Sequence, residues 1–423
     1  MSRSKVLPLF VFIDACGWEI IRDDSFAVAF APGRRRLESV FGYSSACVPS
    51  ILSGRWPAEH GNWCYFVYDP EGSPFRFLRP LRHLPAALTS RRIFRRWLSR
   101  VVKARLKFEG YFDLYNMPFR YISLFDFSEK RSPLQPGGMN QGTNIFDFLG
   151  GRGIRYHVSD PAQSEAVNSA RLVSAMEEGG IDFAFLYWPE LDGLLHRVGN
   201  QSGEIPRRLR AYERAIEGLL RVAQAHYEEV RLYIFGDHGM ANCDELLDLQ
   251  AIIAPLPLKM GKDYAVVYDS TMARFWFFNE RARELVAAAL QQVPQGRILP
   301  GEELEELGCL FPDRRFGELI FLVREGVLIV PSHMGERPIR AMHGYHPSEK
   351  HSFAALLTNQ PSISEDITAI PDVYRLMAHD AQLAWEANRS STVAERGVGV
   401  SPAPFSATSS SVYAEKMRTD PDT

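Results

Sequence analysis

The chain has 423 residues, room for one large domain with insertions or for two domains, and its 46% hydrophobic and 23% charged content is that of a globular protein. A formal net charge of −3 excludes a global pull toward nucleic acid, so no nucleic-acid scaffold is expected as a partner. Five cysteines, Cys16, Cys47, Cys64, Cys243 and Cys309, form no CxxC pair and are odd in number, which excludes a disulfide framework and fits a cytoplasmic location.

The first apolar run, LPLFVFI (7–13), is short, contains Pro8 and ends at Asp14, with no small-residue cleavage site behind it. It reads as a buried strand and not as a signal peptide. No apolar run reaches the roughly twenty residues that span a bilayer. GYSSACVPSILSG (42–54) reads as a turn entering a helix with Pro49 in its early part. Residues 70–140 are rich in arginine, proline and aromatics and read as a cap insertion. Within it, RRIFRRWLSRVVKARLKF (91–108) places Ile93, Phe94, Trp97, Leu98, Val101, Val102 and Arg105 at steps of 3 and 4, with arginine and lysine on much of the rest. Two accounts of this cationic amphipathic helix stand. It is a lid that buries Trp97 against the core, or a surface helix that gathers an anionic partner such as an acidic membrane.

Further strands are expected at IDFAFLYW (181–188), RLYIFG (231–236) and SFAALL (352–357). Their continuous apolar character predicts a mostly parallel sheet covered on both faces. Between the first two of these, Leu209, Tyr212, Ile216, Leu219, Leu220 and Ala223 recur at helical spacing, which completes a strand–helix–strand unit of an α/β fold. Residues 255–340 read as a smaller α+β lobe, with strands at AVVYDS, MARFWFF, LIFLV and GVLIV and a helix from about 280. From 388 the composition turns to serine, proline and glycine, and 388–423 is expected to be a disordered tail.

Polar residues gather where the strands end. Asp14 follows the first strand; Asp192 and His196 follow the second; Asp237 and His238 follow the third; His343, in AMHGYHP, precedes the last. Functional groups of open α/β sheets collect beyond the carboxyl ends of strands. Mixed histidine and carboxylate donors suit zinc and, less exclusively, manganese. Two such sets suit a pair of divalent ions that clamp an in-line displacement. The serines have two readings. At a helix start, Ser44 or Ser45 is an N-cap, or its oxygen attacks a phosphate held by the free N–H groups and positive potential there.

As an ordered set, Asp14, Ser44 ahead of SGRWPAEHG, DGLLH, GDHGM and HGYHP resemble the alkaline phosphatase superfamily, and most of all its nucleotide pyrophosphatase/phosphodiesterase branch. The resemblance implies an alkaline-phosphatase-like catalytic domain over 1–387 and makes Ser44, ten residues before Gly54, the nucleophile. It implies one metal on Asp192, His196 and His343 and a second on Asp14, Asp237, His238 and the Ser44 oxygen. The implied activity is hydrolysis of phosphodiester or pyrophosphate bonds in a small phosphate ester, through a phosphoseryl intermediate. Phosphomonoester hydrolysis or phosphoryl transfer is the alternative. Where the diesterases carry a phosphate-binding Asn, four residues after the HG glycine, this chain has Tyr65; Asn62 is near but out of register. Both are candidate substrate contacts. CVPS resembles a sulfatase motif, but Cys47 is seven residues from Gly54 and no Arg follows Ser50, so a sulfatase is set aside.

Overall fold

The computed structural model describes residues 4–89 and 91–395. Six strands form the main sheet: β1 (Ser4–Ile13), β2 (Gly33–Leu37), β3 (Tyr156–Val158), β4 (Phe183–Trp188), β5 (Tyr227–Phe235) and β6 (Ala354–Thr358). Their order is β2-β6-β5-β1-β4-β3. The four strands from β5 to β3 run parallel. Alternation along β1 sends Phe10 and Phe12 into one core and Leu7, Leu9, Val11 and Ile13 into the other. Phe10 stacks on Tyr233 and Phe12 on Phe235, with ring centroids 4.7 and 5.4 Å apart. This is an α/β core, with helices on both faces of a mostly parallel sheet.

One strand departs from expectation. β6, read as parallel from its apolar run, pairs antiparallel with both β5 and β2. Its side chains alternate between the two cores, with Ala354 and Leu356 in one and Ala355 and Leu357 in the other. Burial of both faces sets the apolar run, and it does so whatever the strand direction.

Five helices matter below: α1 (Ser44–Ser53), α2 (Arg92–Leu106), α3 (Glu190–Val198), α4 (Glu204–His226) and α5 (Val373–Glu395). All six residues that define the apolar stripe of α4 are buried. α5 runs past residue 388, where the tail was expected to begin. Asn388 there accepts a hydrogen bond from the Val6 amide (3.0 Å) and donates to the Val6 carbonyl (3.1 Å) and Asp182 (2.9 Å). The rest of the expected tail lies outside the described residues. No helix among the described residues is long and apolar enough to cross a membrane.

The smaller sheet is antiparallel, in the order 264–268, 272–277, 319–323, 296–298. Residues between Phe66 and Phe127 build a third core, in which Phe75, Leu98, Val102, Phe112 and Phe127 pack with Ala265, Val267 and Trp276 of that sheet. α2 faces this core through Leu98 and Val102, whereas Ile93 is 84% and Trp97 56% exposed. The inner side of α2 thus packs on the core as the lid account expects, but Trp97 faces water. The pattern of apolar residues is wide enough to wrap past the contact face, and the packing takes only one side of it.

Candidate active site

Three parallel strands end at one place. Asp14 follows β1, its amide donating to the Trp188 carbonyl at the end of β4 (2.9 Å). Asp237 and His238 follow β5. The glycines around them let two loops close on this strand end. A Cβ on Gly236 would lie 2.3 Å from the Cys16 carbonyl, and one on Gly239 would lie 2.2 Å from that of His351. Asp192 and His196 stand one turn apart on α3, with His196 Nε2 3.2 Å from Asp192 Oδ1. His343 arrives on the HGY loop. Tyr43 braces that loop: its hydroxyl meets Thr271 Oγ1 (2.9 Å), which donates to the Gly344 carbonyl (2.8 Å).

The serines of α1 now separate. The N-cap is Tyr43, reached from Gly42 at φ 135°, a conformation suited to glycine, where a Cβ would also press on Trp63. Ser45 donates to the Trp63 carbonyl (2.6 Å), Ser50 bonds His60 (2.9 Å), and Ser53 donates to the Pro49 carbonyl (2.7 Å). Ser44 Oγ alone faces the strand-end cluster, 3.1 Å from His238 Nε2. None of the four is the cap. Cys47 is buried against Ser39 and the Val40 carbonyl, in keeping with its rejection as a sulfatase residue.

Two donor sets close up, each with its atoms within 4.8 Å of one another: Asp192, His196 and His343, and Asp14, Asp192 and His238. Asp192 belongs to both. Asp237, expected in the second set, lies beside it with Oδ2 3.3 Å from His238 Nε2. His238 and His343 stack with centroids 3.7 Å apart.

Four donor atoms here are buried without a hydrogen-bond partner: Asp14 Oδ1, Asp192 Oδ1, Asp237 Oδ2 and His343 Nδ1. Buried polar atoms are otherwise nearly always satisfied. His196 Nδ1 donates to the Ala341 carbonyl (2.8 Å) and His238 Nδ1 to the Gly239 carbonyl (2.9 Å), which turns both Nε2 atoms toward the cluster. Among the described residues no lysine or arginine pairs with these carboxylates; their nitrogen partners are imidazoles. The donor set therefore fits divalent cations.

Protonation follows the same crowding. Burial, and then the charges of Asp237 and Asp192, push Asp14 well above the usual carboxylate range. Burial lifts Asp237 to about 7. Burial also opposes the charge on Asp192, but the facing histidines, His196 first, outweigh it and hold Asp192 below its ordinary range. Burial likewise opposes charge on His196, which Asp192 nonetheless raises to about 9. Burial and the neighbouring His238 depress His343.

The substrate-contact candidates diverge. Tyr65 stacks on Phe127 (5.5 Å) beside Tyr111 and Tyr115, and burial, Glu129 and, more weakly, the charge of Asp14 raise its hydroxyl. It thus lines an aromatic wall within reach of the cluster's field. Asn62 is buried, its Oδ1 accepting from the Asn140 amide (3.3 Å) and its amide donating to His60 (3.2 Å). Its Oδ1 thus ties its loop to Asn140. Tyr187, unremarked in the sequence, donates to Asp14 Oδ2 (2.6 Å) and orients that carboxylate. A hydroxyl at the penultimate position of an otherwise apolar strand was its only signal.

A family model for type I phosphodiesterase/nucleotide pyrophosphatase matches residues 34–346. The chain belongs to that family. It is a phosphodiesterase-like hydrolase of the alkaline phosphatase superfamily, in a metal-dependent branch. Comparison with curated proteins finds no match. Among solved structures, human ectonucleotide pyrophosphatase/phosphodiesterase 5 aligns with a TM-score of 0.63 at 15% identity over 89% of this chain and 95% of that one. An inactive form of the murine protein in complex with AMP aligns with a TM-score of 0.61 at 16% identity, over 90% and 95%. These likenesses show the shared fold.

Proposed function

We propose that this family member hydrolyses phosphodiester or pyrophosphate bonds in a small phosphate ester by double displacement at Ser44, with two divalent ions, zinc first and manganese second, at the two donor sets. The observation that carries the reading is the placement of Ser44 Oγ, the single hydroxyl of α1 aimed at the cluster. Asp192, His196 and His343 would hold one ion, and Asp14, Asp237, His238 and the Ser44 oxygen the other. Asp192 is near enough to the second set to serve both. When bound, such ions lower the pKa of a hydroxyl and neutralise charge on phosphoryl oxygens.

Ser44 supplies the oxygen that bonds to phosphorus while the bond to the leaving group breaks. A water oxygen then replaces Ser44, which regains its proton. The amides of Ser44 and Ser45, first-turn donors with no acceptor inside the helix, would donate to the charge that develops. Tyr187 holds Asp14 in orientation, and the carbonyls of Ala341 and Gly239 hold the two imidazoles. A nucleotide ester is the first substrate to test, given the AMP held by the murine relative's structure. Tyr65 would then offer its ring to the base or sugar. The monoester alternative called on arginines of the insertion. Arg95, the buried one, is spent on the carbonyls of Thr89, Tyr115 and Met117, so the diester reading stands first.

The test is turnover of bis-p-nitrophenyl phosphate against p-nitrophenyl phosphate, with zinc or manganese added, and mass-spectrometric trapping of phosphate on Ser44 at low pH. A faster diester reaction with label on Ser44 is expected. Full activity of Ser44→Ala, or label elsewhere, overturns the nucleophile.

A further inference from the structure

The segment 72–108 contains nine arginines and two lysines and no carboxylate, in a chain whose formal net charge is −3. Residues 77–111 hold more than half of the large apolar side chains exposed among the described residues, Phe77, Leu84, Leu88, Ile93, Trp97, Val101 and Tyr111. Both features converge on α2. At 100° per residue, Leu98, Ser99, Val102 and Arg95 point inward, and all four are buried. Ile93, Trp97 and Val101, at steps of four, form a row on the outer side, 84%, 56% and 41% exposed. Arg92, Arg96 and Arg100, also at steps of four, form the row beside it, and Arg105 borders its other flank. Arg92, Arg96 and Arg100 are exposed and form no ion pair among the described residues.

A monomer does not ordinarily present ordered apolar and cationic rows side by side to water. Their pairing selects the occupant. A second copy laid against this face would bring the same arginines and no carboxylates from the segment. An uncharged apolar partner would leave the arginine row without a counterpart. An anionic lipid surface satisfies both, with the apolar row at the acyl boundary and the guanidinium groups at headgroup level.

We infer that the outer face of α2 docks the protein on anionic membrane surfaces, through Ile93, Trp97 and Val101 inserted between arginines that hold lipid phosphates. The helix is rigidly mounted for this. Arg95 donates to three backbone carbonyls and lies over the Phe119 ring (4.7 Å), and Ser99 donates to Asp113 (2.9 Å). The inward face is thus fixed independently of the outer one. Arg96 also bears on Tyr111, which packs against Tyr65, so the docking face adjoins the aromatic wall.

The test is co-sedimentation of the full chain with vesicles of phosphatidylcholine alone or mixed with phosphatidylglycerol, at low and physiological salt. Two variants accompany it, Arg92→Glu/Arg96→Glu/Arg100→Glu and Ile93→Ser/Trp97→Ser. Circular dichroism and turnover of a soluble ester should match the parent in both, since neither touches the inward face or the cluster. Binding to the anionic vesicles only is expected, weakened by salt and reduced about a hundredfold or more by the charge reversal. Loss of Ile93 and Trp97 should reduce it about tenfold or more. Absence of binding at low salt overturns the inference. So does binding that both variants leave unchanged, and so does a dimer that Ile93→Ser/Trp97→Ser disperses without any vesicle binding.

Discussion

At the carboxyl end of the main sheet, three carboxylates and three histidines are pressed together, and among the described residues the carboxylates meet imidazoles and no lysine or arginine. On the outer face of α2, three arginines stand beside three apolar side chains in open solvent. The two regions are opposite in sign and in depth. In the first, orphaned donors such as Asp237 Oδ2 and His343 Nδ1 carry a desolvation cost that a small cation removes, so the ligand is specified by individual atoms. In the second no single atom is unsatisfied, because water solvates each arginine. Only the side-by-side ordering of the rows points outward, and it specifies a kind of surface. Burial makes the first region selective, and exposure leaves the second permissive.

The largest expected effect tests whether the buried cluster acts through Ser44. Ser44→Ala should lower kcat by roughly four orders of magnitude or more while metal content by elemental analysis stays at the parent level. Ser45→Ala, which removes only a bond to the Trp63 carbonyl, should keep its activity; the reverse pattern reassigns the nucleophile.

Next comes the sharing of Asp192 between the donor sets. Asp192→Ala should lower the occupancy of both ions, and His196→Ala that of one alone. Equal losses from the two variants would remove Asp192 from its shared position.

A third measurement compares depth within α2 itself. Leu98→Ala should cost about 2–4 kcal/mol of unfolding free energy in urea, as buried leucines do. Trp97→Ala should stay within about 0.5 kcal/mol, as exposed positions do. A comparable loss at Trp97 would mean that its ring is covered in solution and would return α2 to a lid.

The smallest effect separates burial from metal binding. Glu165 lies outside both donor sets, accepts from the Glu190 amide that starts α3 (2.8 Å) and from the Tyr212 hydroxyl (3.0 Å), and is raised by burial to about 7. The folded state thus holds this proton more tightly than the unfolded chain. Its stabilising contribution is full below the ordinary glutamate pKa and is lost as pH rises through about 7. Glu165→Gln should flatten the fall in stability over that window by roughly 1–2 kcal/mol, in metal-loaded protein as well. An unchanged slope would show that the carboxyl is solvated.

The candidate ligands were legible because each follows or precedes an apolar run, and a strand that ends in Asp or His announces its own terminus. α4 was legible because its stripe recurs at 3.6 residues over its whole length. β2 was not. Its sequence, GRRRL, is that of an edge strand, and Arg34 leaves the strand surface to donate to the Asp24 and Phe26 carbonyls (2.8 and 2.7 Å). β3 is three half-buried residues at the opposite edge, too short for any period to show.

By itself the sequence determined the order of the strand-end donors and the residue types that make a metal-dependent phosphodiesterase, since those depend on neighbours close along the chain. It also determined that α2 would be cationic and amphipathic. Only the tertiary structure decided which serine of α1 meets the cluster, that Asp192 stands within reach of both donor sets, that β6 runs antiparallel, and that Trp97 faces water and not the core. Each of these depends on which side of an element meets a partner distant in the chain. The period of a helix or strand fixes the relative angles of side chains, but it leaves free the absolute rotation of the element against its neighbours. Packing of the three cores sets that rotation.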